Sequence, residues 1–207
     1  MPVRTGARRT GLLEGTTRER LIEAAAELIT EEGYDRAGVQ EIARRAGLTN
    51  GAIYANFRAR SELLAEAVEM GLVRLFARMD EARQAGATPA QVIELIGRTL
   101  ALHTSARHRM LMSEALAAAR RDPDVGERVR QLLTKLEAHV AAVVDQARLD
   151  GDFAPGVDGA TVARFGTALA MGYHVMSAAG MPEVDHDGWR RLMTGVLASF
   201  RTGDPDG

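Results

Sequence analysis

The 207-residue chain reads as all-α, with an N-terminal three-helix helix-turn-helix head and a C-terminal helical body, about nine helices in all. Three observations predict this. Ala, Leu, Arg and Glu recur throughout while aromatic residues make up only 4% and β-branched runs are few, a usage that favours helix over sheet. Between Val39 and Phe57, two short amphipathic segments meet at Gly47. Apolar residues at 39, 42, 43 and 46 repeat at helical spacing, Gly47 admits the left-handed backbone that ends a helix, and Thr49 offers an oxygen to the first amides of the next. From residue 61 onward, capping residues and Gly or Pro breaks separate longer segments of helical periodicity.

Residues 1–15, with Pro2, three Gly and Arg4, Arg8 and Arg9, form a flexible basic arm. A helix starts at Thr16 or Thr17 and runs to about Glu32, because Leu21, Ile22, Ala25, Leu28 and Ile29 make an apolar stripe that Gly33 ends. Tyr34 packs back on it. Helix two covers about 38–45 and helix three about 49–56. Helix four starts near Ser61, a capping residue, and reaches about Arg83. Thr88 caps and Pro89 opens helix five, expected over 88–104. A sixth segment spans about 106–119, Asp122-Pro123 starts a seventh that runs to about Asp150, helix eight spans Gly159 to Ala179, and helix nine runs from Asp187 to Phe200. The Gly, Asp and Pro tail at 203–207 frays. The domain expectation is therefore an arm (1–15), a helix-turn-helix head (16–64), a helical body (65–202) and a tail (203–207).

At 46% hydrophobic the chain can bury a substantial core. The absence of cysteine fits a reducing compartment and removes disulfides, thiolate catalysis and thiolate zinc. No apolar core of signal-peptide length and no run of 18 apolar residues occurs, so a cytoplasmic protein without membrane contact is expected. Residues 1–60 carry 10 Arg against 8 acids, and the remainder 16 basic against 20 acidic residues. That asymmetry has the sign expected if the head meets nucleic acid.

On helix three, Ile53 and Phe57, four apart, face inward, which leaves Asn50, Gly51, Tyr54 and Asn56 outside. The only two asparagines of the chain fall here. An amide side chain presents a donor and an acceptor side by side and can pair with adenine, and Gly51 lets a backbone come close.

The residues Gly33-Tyr34, Ile42-Ala43, Ala46-Gly47-Leu48-Thr49, Ile53-Tyr54, Asn56-Phe57 and Arg60 through Leu63-Leu64 resemble the N-terminal signature of the tetracycline-repressor (TetR) family of bacterial regulators, over roughly residues 18–66. The resemblance implies a homodimer that binds a palindromic double-stranded DNA operator with helix three in the major groove and is released by a small-molecule effector. It implies that Gln40, Asn50, Gly51, Tyr54, Ala55 and Asn56 face the bases, and that Thr49, Tyr54 and Arg60 hold phosphates. Only Gln40, Asn50 and Asn56 have side chains suited to base edges, and Ala55 can at most touch a thymine methyl. Family members usually have Ser or Thr where this chain has Ala37 and Gly38, which removes a capping hydroxyl, and Lys where it has Arg60. Arg4, Arg8 and Arg9 could compensate from an adjacent minor groove, the other reading being a plain disordered leader.

In the body, polar groups sit inside otherwise apolar helices. His103, Met110, Ser113, Met171 and His174 are the candidate effector-pocket residues, against the alternative that such methionines are ordinary core. His103 and His108 are five apart and diverge on a helix, so neither a metal site nor a cofactor is expected. Helix eight is apolar on nearly every face between Phe165 and Met176 and needs a partner. Phe165, Gly166, Ala170 and Gly172, with Leu192, Met193, Val196 and Phe200 of helix nine, are the expected dimer contacts, forming a four-helix interface. Helix four is the expected lever between body and head. The function read from these signals is a ligand-released repressor and not an enzyme. The alternatives are a constitutive DNA-binding regulator or activator without a functional pocket, and a helical enzyme whose head is incidental. No nucleophile elbow, phosphate loop or paired metal ligands support the enzyme reading.

Overall fold

The computed structural model describes residues 15–99, 106–182 and 184–201. The expectations for Arg4, Arg8, Arg9, His103 and the 203–207 tail lie outside the described residues. Those described form α1 (Thr17–Glu32), α2 (Val39–Arg45), α3 (Asn50–Asn56), α4 (Arg60–Gln84), α5 (Pro89–Arg98), α6 (Ala106–Ala118), α7 (Pro123–Leu149), α8 (Gly159–Ala178) and α9 (His186–Ala198). The all-α class stands as the sequence predicts.

Helix ends follow local chemistry. Thr16 and Glu19 form a reciprocal capping box at α1, Thr88 and Gln91 another at α5, and the Asp122, Asp158 and Asp185 carboxylates accept amides at the starts of α7, α8 and α9. Gly33 ends α1 at φ 84° and Gly151 follows α7 at the same φ. Two expected caps differ. Thr49 occupies the N-cap position of α3, but its hydroxyl accepts no amide. At α4 the cap is Ala59, with Glu62 reaching back so that its Oε2 accepts the Arg58 N–H at 2.7 Å. Ser61, the expected cap, falls within the first turn and is buried, beside the free amides rather than ahead of them.

The head packs Leu21, Leu28 and Ile29 of α1, Ile42 of α2, Ile53 of α3, Phe57, and Leu63 and Leu64 of α4 into one core. That core continues without a break into the body along α4 through Leu72, Leu75 and Met79, to Met112 of α6 and Leu136 of α7. In the body α7 packs on α8, α4 and α5, while α6 lies between α8 and the pair α1 and α4. A bridge between Phe153 and Arg201, with the Ala154 N–H donating to the Phe200 carbonyl at 2.8 Å, closes the α7–α8 loop against the end of α9. Among the described residues no helix is long and apolar enough to cross a membrane.

Candidate nucleic-acid interface

The turn between α2 and α3 begins at Gly47, whose φ of 64° is the left-handed region. Its N–H donates to the Arg44 carbonyl at 3.1 Å, and the Leu48 N–H reaches the Ala43 carbonyl at 2.9 Å. These paired bonds, with half-buried Leu48, close α2 and redirect the chain into α3. At the start of α2, Gly38 is the N-cap without a side-chain bond, and Ala37 is completely buried.

Ile53 and Phe57 point into the head core. The opposite face of α3 presents Asn50, Gly51, Ala55 and Tyr54, the last 68% exposed, next to exposed Gln40 on α2 and the hydroxyl of Thr49. A Cβ built on Gly51 meets only the Thr49 Oγ1, at 3.7 Å. That is ordinary contact, so the fold does not require glycine there. Asn56 is placed differently. It is half-buried, and its Nδ2 donates to the Ala52 carbonyl at 2.7 Å, so its amide is engaged within its own helix. Arg60 is also drawn inward: its guanidinium sits 4.2 Å over the Tyr34 ring and donates to the Asp35 and Ala37 carbonyls at 3.2 and 3.4 Å. As observed, the group expected to hold a phosphate braces the α1–α2 turn.

Two residues the sequence reading passed over hold this face in place. Arg18, early in α1, donates to the carbonyl of Asn56 at 2.6 Å, stacks 4.4 Å over Phe57 and pairs with Glu66 of α4. Arg20 donates to the carbonyl of Ala46 at 2.7 Å. Each guanidinium thus meets the C-terminal end of one helix of the motif, where carbonyls lack partners and the dipole favours a cation. Arg45 ties α2 to α1 through Glu31 at 2.6 Å. Arg44 pairs with Glu41, and this bond is the first cause of a Glu41 carboxyl pulled down to about 2. No signal in the sequence marks Arg18 or Arg20, because their acceptors are backbone atoms of distant residues.

The head meets the body at the α1–α2 turn. The Tyr34 N–H donates to the Glu114 carboxylate at 2.9 Å, its hydroxyl lies 3.2 Å from Asp122 Oδ2, and Asp35 pairs with Arg121 at 2.8 Å. Burial, ahead of the opposing Arg60 contact, raises the Tyr34 hydroxyl above its usual range. On the neighbouring side Arg107 of α6 pairs with Glu23 and Glu27 of α1 at 2.6 and 3.2 Å.

In the body, Ser113 and His174 do meet: the Ser113 hydroxyl donates to the His174 carbonyl at 3.1 Å. His174 is only 1% exposed, and Arg109 beside it donates to the Ser177 Oγ at 3.1 Å. This is a packed polar seam between α6 and α8. A cavity of about 510 Å³ lies at the junction of α1, α4 and α6, and Met110, Ser113, Met171 and His174 do not line it. Around Ser113 and His174, α6 and α8 close on each other, and this cavity lies on the α4 side of α6. Among the described residues no cluster of three or more His, Cys, Asp or Glu is arranged to hold a metal.

Helix α8 buries Ala163, Thr167, Ala170 and His174 against its own chain. Ala170, expected at the dimer contact, is 3% exposed and points inward. Gly166, Met193, Val196 and Phe200 line a narrow slot of about 80 Å³ between α5, α8 and α9. Phe200 also meets Phe153 edge-on at 5.9 Å. Phe165 also lines the slot yet is 53% exposed, Gly172 and Leu192 remain outside it, and Val175, Met176 and Met181 extend this apolar surface. The departure follows from periodicity: α7 covers one side of an all-round apolar helix, and Ala170 is on that side.

Residues 21–67 match the family described as bacterial regulatory proteins, tetR family. The chain is 41% identical over 58 residues to the HTH-type transcriptional regulator SrpR of Pseudomonas putida, covering 28% of this chain and 27% of that one. That likeness therefore spans about a quarter of the relative's length. Over 88% of the chain and 94% of the relative it is 22% identical to the HTH-type transcriptional regulator UidR of Escherichia coli. In structure it is similar to the fatty acid degradation regulator FadR of Bacillus halodurans, with a TM-score of 0.72, 16% identity, and coverage of 90% of this chain and 96% of that one.

Proposed function

Because the chain belongs to the TetR family of transcriptional regulators, we propose that it is a homodimeric repressor that holds a palindromic operator through α3 and is released by a small molecule. The observation that carries this reading is the outward polar face of α3, with Asn50, Gly51 and Tyr54 presented beside Gln40 on a head braced from behind. In the operator complex Asn50 and Gln40 read base edges in the major groove. The Thr49 and Tyr54 hydroxyls donate to phosphates on either side, and Gly51 admits the backbone to close approach. Asn56 and Arg60 reach DNA only after leaving their present bonds.

The second copy covers the exposed apolar stripe of Phe165, Val175, Met176 and Leu192. Apolar side chains in such a row gain about 25 cal/mol for each Å² removed from water. Two heads on one duplex face then require half-sites about 34–36 Å apart, or a multiple of this.

Release is a population shift. The effector binds the DNA-incompetent arrangement better, by about 5.5 kcal/mol for a near-complete switch. Among the described residues the body holds the head through α4, the clasp of Glu114, Arg121 and Asp122 on the α1–α2 turn, and α6 with Arg107 on α1. A ligand that changes the spacing of α4 or α6 moves all three.

The test is fluorescence anisotropy with the DNA upstream of the gene and a scrambled control, across roughly 50 to 200 mM salt. Tighter binding to the upstream DNA, with an affinity that falls steeply with salt, supports the reading. Equal binding to both DNAs at every salt concentration counts against it.

A further inference from the structure

We infer that the cleft between α1, α4 and α6 takes an amphipathic anion, a carboxylate or sulfonate with an apolar body, whose charged end is held by the guanidinium groups of Arg74 and Arg78. This gives the ligand-release reading a ligand class and rests on that reading. At about 510 Å³ the cleft falls within the usual range for small-molecule sites. Its apolar floor includes Ala26, Met70, Leu72, Leu75 and Leu111.

The charges around that floor are unevenly matched. Arg107 already has Glu23 and Glu27 of α1 as partners. Arg74 and Arg78 lie four residues apart on α4, hence on one face, and neither has an ion-pair partner among the described residues. The remaining acid on the lining is Glu81. Two guanidiniums against one carboxylate favour an anionic guest, and paired donors of this shape suit a planar carboxylate or a sulfonate. A cation would meet the same two charges at a cost.

His108 forms the inner wall. Its ring occupies the space above Gly71, where a built Cβ falls 2.0 Å from the imidazole, so α4 and α6 meet as closely as a glycine allows. Burial, with smaller effects from His174 and Arg74, pulls its pKa down to about 4, and a neutral imidazole leaves the cationic role to the arginines.

One wall of the cleft, Glu23 and Ala26, belongs to the DNA-binding head. An anion seated on Arg74 and Arg78 also attracts Arg107, and it competes with Glu23 for that side chain. Binding then loosens a contact that holds the head to the body.

The experiment uses the full chain with two matched probes: 8-anilinonaphthalene-1-sulfonate, and N-phenyl-1-naphthylamine, which lacks the sulfonate. Arg74 and Arg78 are exposed, so the double variant Arg74→Gln/Arg78→Gln keeps the fold, checked by its melting curve. The expected result is at least a tenfold loss of sulfonate affinity in the double variant with amine binding within twofold of wild type. Ala77→Trp, which fills the exposed end of the cleft, weakens both probes. Unchanged sulfonate affinity in the double variant overturns the proposal, and so does equal loss of both probes in that variant or full binding of both in Ala77→Trp. Operator displacement by the sulfonate is read separately. Arginine-dependent binding that leaves the operator bound supports the anion site while counting against the ligand-release reading.

Discussion

Helices α3 and α8 each show one face to solvent, and the two faces have opposite chemistry. On α3 the outward side carries Asn50, Gly51 and Tyr54 over a buried Ile53. On α8 it carries Phe165, Val175 and Met176, while Thr167 and His174 are inside. The polar residues of α3 gain nothing from the core, whereas the apolar residues of α8 lose free energy in water. Each exposed face therefore predicts its own partner, one rich in hydrogen-bonding edges and phosphates, the other a second apolar surface. The support behind the faces differs too. Two arginines of α1 grip the ends of α2 and α3 by directed bonds, while α8 is held by broad packing on α7 and α6 together with the Ser113 and Arg109 bonds from α6.

The comparison is broken most severely on α8. Val175→Asp with Met176→Asp should convert the proposed dimer to monomers and reduce operator affinity by at least about 100-fold, since only one head would then engage at a time. Sedimentation checks the first effect and anisotropy the second. Retention of the dimer would show that this face is not the interface.

On α3, Asn50→Ala should cost about 1–3 kcal/mol of operator binding and relax preference at one base position while leaving the melting temperature in place. Arg20→Ala should cost a similar amount, about 1.5–3 kcal/mol for a charge-assisted bond, but in stability as well as in binding. The pair separates a reading residue from a positioning one, and a stable Arg20→Ala head with full operator affinity would remove the positioning role.

A smaller effect is expected at Gly51. Gly51→Ala should gain up to about 1 kcal/mol of stability, because an added Cβ meets no obstacle and alanine prefers helix. It should still bind operator about tenfold more weakly, equivalent to about 1.4 kcal/mol, if the backbone approaches DNA there. Unchanged affinity would leave Gly51 without a role on that surface.

A last effect is in the interior and emerges only in acid. His108 titrates near pH 4 in the folded chain against an ordinary value of 6.5. As pH falls the unfolded chain takes up the proton first. Stability is therefore at its full value above about pH 6.5 and declines through the window down to about pH 4, by up to about 1.4 kcal/mol per pH unit. Denaturant titrations at several pH values should show this slope reduced in His108→Gln. An equal slope in both proteins would mean that other groups set it.

Much of the head was legible because its determinants are local. Thr16 with Glu19, Gly33 and Gly47 act within one turn of their own position, and the spacing of Ile53 and Phe57 alone assigns the inward side of α3. Ser61 shows where local reading fails. A serine before an apolar run is a good cap by type, yet the helix starts earlier, and Glu62 reaches back to the Arg58 N–H ahead of the cap. Ala170 fails for another reason: on a helix apolar all round, periodicity does not say which side the rest of the chain will cover.

The sequence by itself determined the helix order, the position of the motif and the polar surface of α3, since these depend on residues three or four apart. Tertiary structure alone decided which carbonyls Arg18 and Arg20 would meet, how Tyr34 would be clasped by Glu114 and Asp122, and that Asn56 and Arg60 would turn inward. Except for the Asn56 bond within its own helix, these contacts join groups from 23 to 88 residues apart, and no local pattern encodes them. The cavity lay furthest from the sequence. It is the space left after α1, α4 and α6 have packed, so its lining is set by every neighbour at once and by no single helix.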